Sequence, residues 1–467
     1  MTASARRPAH TSRIVALAWP ILIGQLAVVS YGVMDTAMTS RYSSTDLAAL
    51  ALGASIYISI FVGLSGVLQA LSPIVGQLYG GRRLSEIGVE VKQSIWLALF
   101  LSLAGAMLLL FPQPLLAIAQ VTPELADKIT LYLRLLALAL PATLGLRIYS
   151  AMNTALGRPK MVMAIQVGAL LLKIPLNTLF IFGGLGLPAF GGPGCAIATA
   201  ITSWVSLLFA WMLIRRDGFY RRLGLFGTGF IRPRWAAQRE LLRLGVPMGL
   251  SYLIEVTAFT FMALFIARLG ETAVAGHQVT ANFSAVLYML PLSIANATGI
   301  LVAQNIGSRE LIKARHAGND GIRLAVLLSC VVGVAVFAGR AYIIRAYTPD
   351  PLVIAVAMPL FVFIGFYQLF DALQITTAFV LRAYKVAVVP TLMYALALWG
   401  AGLGGGYMLG LDPYGIAPAA LHGPVGFWLA NSFSLGLVGF GLLWYLRRIQ
   451  RQAEKDTRDS GAVSTGH

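Results

Sequence analysis

Charge is scarce in this sequence. Only 11% of its 467 residues are charged and 58% are hydrophobic, against roughly 25% charged and about 45–50% apolar in an average soluble protein. So few charges cannot cover the surfaces of the three soluble domains that ~150 residues apiece would allow. Cysteine is nearly absent: Cys195 and Cys330, both in apolar surroundings, make neither a disulfide framework nor a zinc site. The five histidines (His10, His277, His316, His422 and His467) form no His-Glu-x-x-His pair. No Gly-x4-Gly-Lys-Ser/Thr loop is present to hold a nucleotide, and no cofactor is expected. Acidic residues are also sparse, 18 against 35 basic ones, which in a soluble protein would point to nucleic acid.

What the chain has in abundance is long apolar runs. About 20 residues in a helix cross the hydrocarbon core. Twelve such segments are predicted, at 14–38, 47–76, 93–112, 131–155, 161–182, 194–214, 241–266, 274–304, 321–340, 353–380, 386–410 and 425–446. The fold class expected is an all-α polytopic membrane protein. The opening stretch does not read as a cleaved signal peptide, since its apolar run is too long and lacks an Ala-x-Ala site.

Lys and Arg set the orientation. With both termini cytoplasmic, 27 of the 35 basic residues fall in the two tails and the inner loops and six fall on the other face. The +17 balance is thereby a topology signal and a set of contacts for anionic headgroups; no nucleic-acid partner is expected.

The chain also repeats itself. At a constant offset of 227, "LAWPILIGQL" (17–26) meets "LGVPMGLSYL" (244–253), pairing Pro20 with Pro247. The same offset pairs Arg41 with Arg268 and sets "GQLYGGR" (76–82) against "AQNIGSR" (303–309). Further on, "TPE" (122–124) is matched with "TPD" (348–350), and Lys160 with Lys385. Two pseudo-symmetric six-helix bundles are expected: 1–214, a basic cytoplasmic linker at 215–240, a second bundle at 241–446 and a cytoplasmic tail at 447–467. Six helices per half leave the repeats in one orientation, as in transporters built of parallel halves. A duplicated channel or a structural bundle would share this outline.

Ionisable groups inside spanning segments are costly and tend to mark a pathway. Glu255 lies 12 residues beyond Arg243 and Asp371 lies 11 before Arg382, ~18 and ~16 Å along their helices. Both are expected near mid-membrane, with Tyr367 one turn from Asp371 on the same face. Two carboxylates and a phenol suit Na⁺ or a shared proton. Asp35, 22 residues beyond Arg13, or ~33 Å along the first helix, belongs near the outer leaflet. It is either a helix-end carboxylate touching water or a member of a cavity with Asn177, with Lys173 as a counter-ion. Arg147 is expected to form a structural ion pair or to snorkel. Tyr31, Met34 and Met38 near Asp35, and Phe259 and Met262 near Glu255, either pack ordinarily or grip flat organic cations.

Three motifs carry a family resemblance: "YGVMDTAM" (31–38), "SYLIEVTAF" (251–259) and "FYQLFDAL" (366–373). Together with twelve helices in two halves, the sequence resembles the multidrug and toxic compound extrusion (MATE) transporters, NorM-type branch. The resemblance implies a non-enzymatic, secondary active antiporter of the bacterial inner membrane. It would export small cationic, amphipathic compounds in exchange for Na⁺ or H⁺ by rocking of its bundles, and would be monomeric. Glu255, Asp371 and Tyr367 would bind the coupling cation, with Glu255 and Asp371 ligating Na⁺ if Na⁺ is the ion. Asp35 and Asn177 would form the cation, proton or substrate site of the N-terminal half, where Lys173 places a positive charge. The alternative on a related scaffold is a flippase for lipid-linked sugars or another lipid-like cargo, which favours a basic cavity.

Overall fold

The computed structural model describes residues 7–114, 116, 122–184, 186–226, 229, 231–415 and 417–464. Arg6, the side chains of Arg7 and Arg458, and residues 465–467, all assigned above to the cytoplasmic tails, lie outside the described residues. Among the described residues, twelve helices are long and apolar enough to cross a membrane, one for each predicted span. They are α1 (Arg7–Ser40), α2 (Ser44–Gly80), α3 (Leu84–Leu110), α4 (Pro123–Ala155), α5 (Pro159–Phe182) and α6 (Gly192–Arg216), followed by α7 (Trp235–Ala267), α8 (Glu271–Gly307), α9 (Leu311–Tyr347), α10 (Pro351–Ala383), α11 (Val388–Gly410) and α12 (Pro424–Ser464). No strand occurs among the described residues, only an isolated bridge between Gly184 and Leu187. The tenfold stretch Ala395–Gly404 of α11 is π-helical, a rare geometry that recurs at functional sites.

The repeat is written into the helix ends. Arg82, Gly157, Arg309 and Lys385 have left-handed φ values of 58°, 73°, 62° and 58°. In each case the next N–H bonds back to a carbonyl five residues earlier: Arg83 to Leu78, Arg158 to Asn153, Glu310 to Asn305 and Val386 to Leu381, at 2.8–3.0 Å. These are Schellman caps, two in each half. Three are built without glycine, and their basic side chains suit the negative end of a helix. Directly after the first cap, Arg83 pairs with Glu86 at 2.5 Å; 227 residues on, Glu310 pairs with Lys313 at 2.5 Å with the charges exchanged.

The caps also correct the register of the later match. Proline occupies the first turn of both α4 and α10, at Pro123 and Pro351. Pro123 therefore corresponds to Pro351, and Gly157 to Lys385, an offset of 228. Matching "TPE" to "TPD" slips by two residues, because Asp350 is the N-cap of α10 and accepts from the Leu352 N–H at 2.9 Å.

The chain forms two compact units, 23–249 and 1–22 with 250–467. Their boundaries fall inside α1 and α7, two residues beyond Pro20 and Pro247, and differ from the linker boundary expected from sequence. A proline inside a helix removes a backbone hydrogen bond and weakens continuity there. In the first unit α4 is the hub, packed by α2, α3, α5 and α6; in the second the hub is α10, packed by α8, α9 and α12. Residues 371–383 of α10 are buried without interruption.

The linker is a folded strap on the first unit. Tyr220 is fully buried and donates to Asn153 Oδ1 at the end of α4. Arg158 bridges to Asp217 at 2.6 Å and lies over the Phe219 ring at 4.7 Å. The Gln93 side chain donates to the Arg232 carbonyl and accepts from the Arg234 N–H at 3.0 and 2.9 Å. The backbone N–H of Phe219 and then the Arg158 guanidinium hold the Asp217 carboxyl below its usual range. The tail expected from 447 likewise continues α12, where Glu454 accepts from Arg315 at 3.0 Å.

Candidate functional site

In the second unit, α7 and α10 bring their acidic residues into one region. Phe259 is one turn beyond Glu255, and Tyr367 is one turn before Asp371. The two rings meet edge-on at 6.0 Å, and Tyr367 also meets Trp428 of α12 at 5.5 Å. This three-ring contact aligns the two helices, so the carboxylates one turn below face the same level. Asp371 and Glu255 are within electrostatic range of each other. Asp371 is 1% exposed and accepts a 2.8 Å hydrogen bond from Gln374 Nε2. The Gln374 carbonyl oxygen in turn accepts from the buried Tyr394 hydroxyl, the residue immediately before the π-helical stretch of α11.

Two neighbours escaped sequence reasoning. Arg382, in the last turn of α10, is buried at 5% exposure. It donates to the Tyr252 hydroxyl at 2.8 Å, lies over the Tyr252 and Phe379 rings at 4.8 Å, and acts electrostatically on Glu255. Aromatic faces and a phenol replace water around a guanidinium well enough to hold it inside. Gln368, three residues before Asp371, is 1% exposed, and neither polar atom of its amide has a hydrogen-bond partner. Behind the rings, buried His277 accepts from the Trp428 indole N–H at Nδ1, 3.2 Å away.

The first unit holds a separate cluster. Asp35 of α1 is 8% exposed and receives both Lys173 Nζ at 2.7 Å and Asn177 Nδ2 at 2.6 Å from successive turns of α5. The open reading of Asp35 as a water-touching helix end is therefore replaced by a buried ion pair. Tyr31, one turn before Asp35, offers its ring to Lys173 at 5.4 Å and donates to the Gln166 carbonyl at 2.6 Å. The Asn177 carbonyl oxygen is left without a partner. On the same unit Asp46 is clasped by Lys128 and by the Gly192 N–H at 2.9 Å, an acidic residue the sequence reading passed over. Its position in the first turn of α2 gave no periodic or motif signal.

The MatE family model matches residues 20–179 and 247–408, two segments that begin at Pro20 and Pro247. The chain belongs to the MatE family of membrane transporters. It is of the NorM type within that family: it is 42% identical over 439 residues to the probable multidrug resistance protein NorM of Aromatoleum aromaticum, covering 94% of each chain. It is 36% identical over 464 residues to the multidrug resistance protein PmpM of Pseudomonas aeruginosa, covering 98% of this chain and 96% of that one. The fold matches the crystal structure of the eukaryotic MATE transporter AtDTX14 with a TM-score of 0.84 at 18% identity, over 96% of this chain and 99% of that one.

In this MatE protein the six candidate site residues fall into two groups. Glu255, Asp371 and Tyr367 gather in the second unit; Asp35, Asn177 and Lys173 gather in the first. Among the described residues no cluster of three or more His, Cys, Asp or Glu side chains is poised to hold a metal. Any cation at Asp371 would need oxygen from the neighbouring phenol, amide or water as well.

Proposed function

We propose that this protein is a secondary active multidrug efflux antiporter of the bacterial inner membrane, with both termini cytoplasmic. It exports small cationic, amphipathic compounds in exchange for Na⁺ or H⁺ by rocking of its two bundles, and acts as a monomer. The carrying observation is the Glu255–Asp371 pair: two carboxylates sharing one interior region, where removal from water is expensive unless a cation or proton joins them. Gln368 supports the reading, because an unpaired buried amide invites a water or an ion beside the acids. The multidrug resistance names of the relatives from Aromatoleum aromaticum and Pseudomonas aeruginosa support the cargo class.

In this reading the coupling ion binds among Glu255, Asp371 and Tyr367 and neutralises their charge. Neutralisation lowers the cost of closing those residues away from water, which biases the halves toward the other access state. Asp35 works differently. A proton or an organic cation reaching it competes with Lys173, and the unpaired Asn177 oxygen offers that cation a second acceptor. The test uses proteoliposomes given a Na⁺ gradient alone, then a pH gradient alone, with ethidium efflux as readout. Efflux under one gradient identifies the ion. Efflux under neither, with transfer of a lipid-linked sugar instead, would overturn the antiporter in favour of a flippase.

A further inference from the structure

A cavity of about 350 Å³ opens between α9, α10 and α12 in the second unit, its α10 wall made by Leu369, Phe370 and Leu373 on either side of Asp371. Its body is apolar, formed by Val326, Leu369, Phe370 and Phe440 among others, and two guanidiniums, Arg323 and Arg447, line it as well. No carboxylate contributes to the lining. Among the described residues neither arginine has an ion-pair partner; the nearby Glu454 is engaged by Arg315.

The sequence of the two helices fixes the depth of this charge. The first turns of α9 are polar, with Lys313, Arg315, His316, Asn319 and Asp320, and the segment turns apolar immediately after Arg323. In α12 the order is reversed: an apolar run ends at Leu446, and Arg447, Arg448 and Arg451 follow. Arg323 and Arg447 therefore both mark the boundary between hydrocarbon and water. Around the cavity the apolar surface faces outward: Leu327 is 64%, Phe440 60% and Trp444 62% exposed. An indole at that level is the usual anchor at a membrane interface.

We propose that this groove is a binding site for an anionic phospholipid of the leaflet on the basic side of the protein. The phosphate sits between Arg323 and Arg447, and an acyl chain lies along Leu369, Phe370 and Phe440. Charge complementarity selects the occupant. Two unpaired guanidiniums on different helices can grip one phosphate, and basic pockets between spanning helices hold anionic headgroups in this manner. A soluble anion would leave the apolar body of the groove unfilled, and a zwitterionic lipid would bring its own cation toward two arginines.

The experiment counts the lipids retained by the purified full-length protein, using native mass spectrometry in micelles containing phosphatidylglycerol and phosphatidylcholine. The wild type is expected to prefer phosphatidylglycerol by about tenfold, and the double variant R323Q/R447Q to fall to parity. R323K/R447K keeps the charge and should keep most of the preference. Leu369→Trp, which fills the apolar body and spares both arginines, should lose it. Preference unchanged in R323Q/R447Q, or retained in Leu369→Trp, overturns the site. So does inorganic phosphate alone displacing the lipid at equal concentration. If the glutamine variant does not fold, the wild-type preference and the lysine and tryptophan variants decide. Binding is read without transport, so failure here leaves the antiporter reading where it stood.

Discussion

The two halves share a frame and differ at their acidic residues. Caps, prolines, hub helices and even the unit boundaries recur at offsets of 227 or 228. The carboxylates do not: at those offsets Asp35 meets Met262, Glu255 meets Val28 and Asp371 meets Thr143. The first unit buries one acid on α1 and neutralises it with a lysine 2.7 Å away. The second places a pair on α7 and α10, Asp371 buried and Glu255 half-buried, with Arg382 acting on Glu255 and amides and phenols around Asp371. A duplicated scaffold preserves what packing demands, namely helix ends and close contacts. Charge at the interior is free to diverge because each acid is satisfied by different local partners.

That asymmetry predicts where each half breaks. The largest effect is expected from Asp371→Asn in the second half: ethidium efflux falls to the level of empty vesicles while the protein stays folded, because the amide keeps the Gln374 contact and loses only charge. Wild-type efflux from this variant would remove Asp371 from the coupling step.

Next comes Lys173→Ala in the first half. It strands a buried carboxylate, with an expected loss of about 3–5 kcal/mol in denaturant unfolding. The double variant Asp35→Asn/Lys173→Met should recover most of that loss, since the pair is removed together. Recovery of efflux along with stability would show that the first half's acid is structural, and the contrast between the halves would sharpen. Equal stability loss in single and double variants would break it.

A smaller effect tests the hydrogen-bond chain of the second half. Tyr394→Phe leaves the Gln374 carbonyl without its donor and should cost about 1–3 kcal/mol by the same measurement; no change would remove that link to Asp371. The smallest concerns the strap. The Asp217 carboxyl is held below its usual range, so its contribution is complete above the ordinary aspartate value of ~4 and fades as pH falls through the lower folded value. Asp217→Asn should therefore flatten the acid limb of a stability profile by less than about 1 kcal/mol. An unchanged acid limb would mean that the Arg158–Asp217 bridge does not hold the strap.

Much of this was legible in the chain. Every predicted span has its helix, since ~20 apolar residues leave the backbone no alternative in lipid. The i, i+4 spacing of Tyr367 and Asp371 is read directly from the chain, and both residues lie on one face of the helix α10 that the structure shows. The burial of Arg382 at the end of α10 was not legible, because nothing local shows that Tyr252 and Phe379 will wrap it. The "TPE" to "TPD" slip has a similar cause: two prolines, Pro349 and Pro351, compete for the same role, and only the helix start chooses between them. Tyr220 and Gln93, which turn the basic linker into a strap, carry no motif at all.

By itself the sequence determined that the chain spans a membrane twelve times, that it is a duplication, and which acids stand inside it. Those properties follow from hydrophobic run length, from register and from the rarity of charge, all of which are linear. Tertiary structure alone decided the partners: that Asp35 is held by Lys173 and Asn177, that Asp371 meets Gln374, and that Arg382 is buried against Tyr252 and Phe379 while Arg323 and Arg447 line one cavity. A partner is a matter of distance between residues far apart in the chain, here 138 positions for Lys173 and Asp35, and such distances are set only when helices pack.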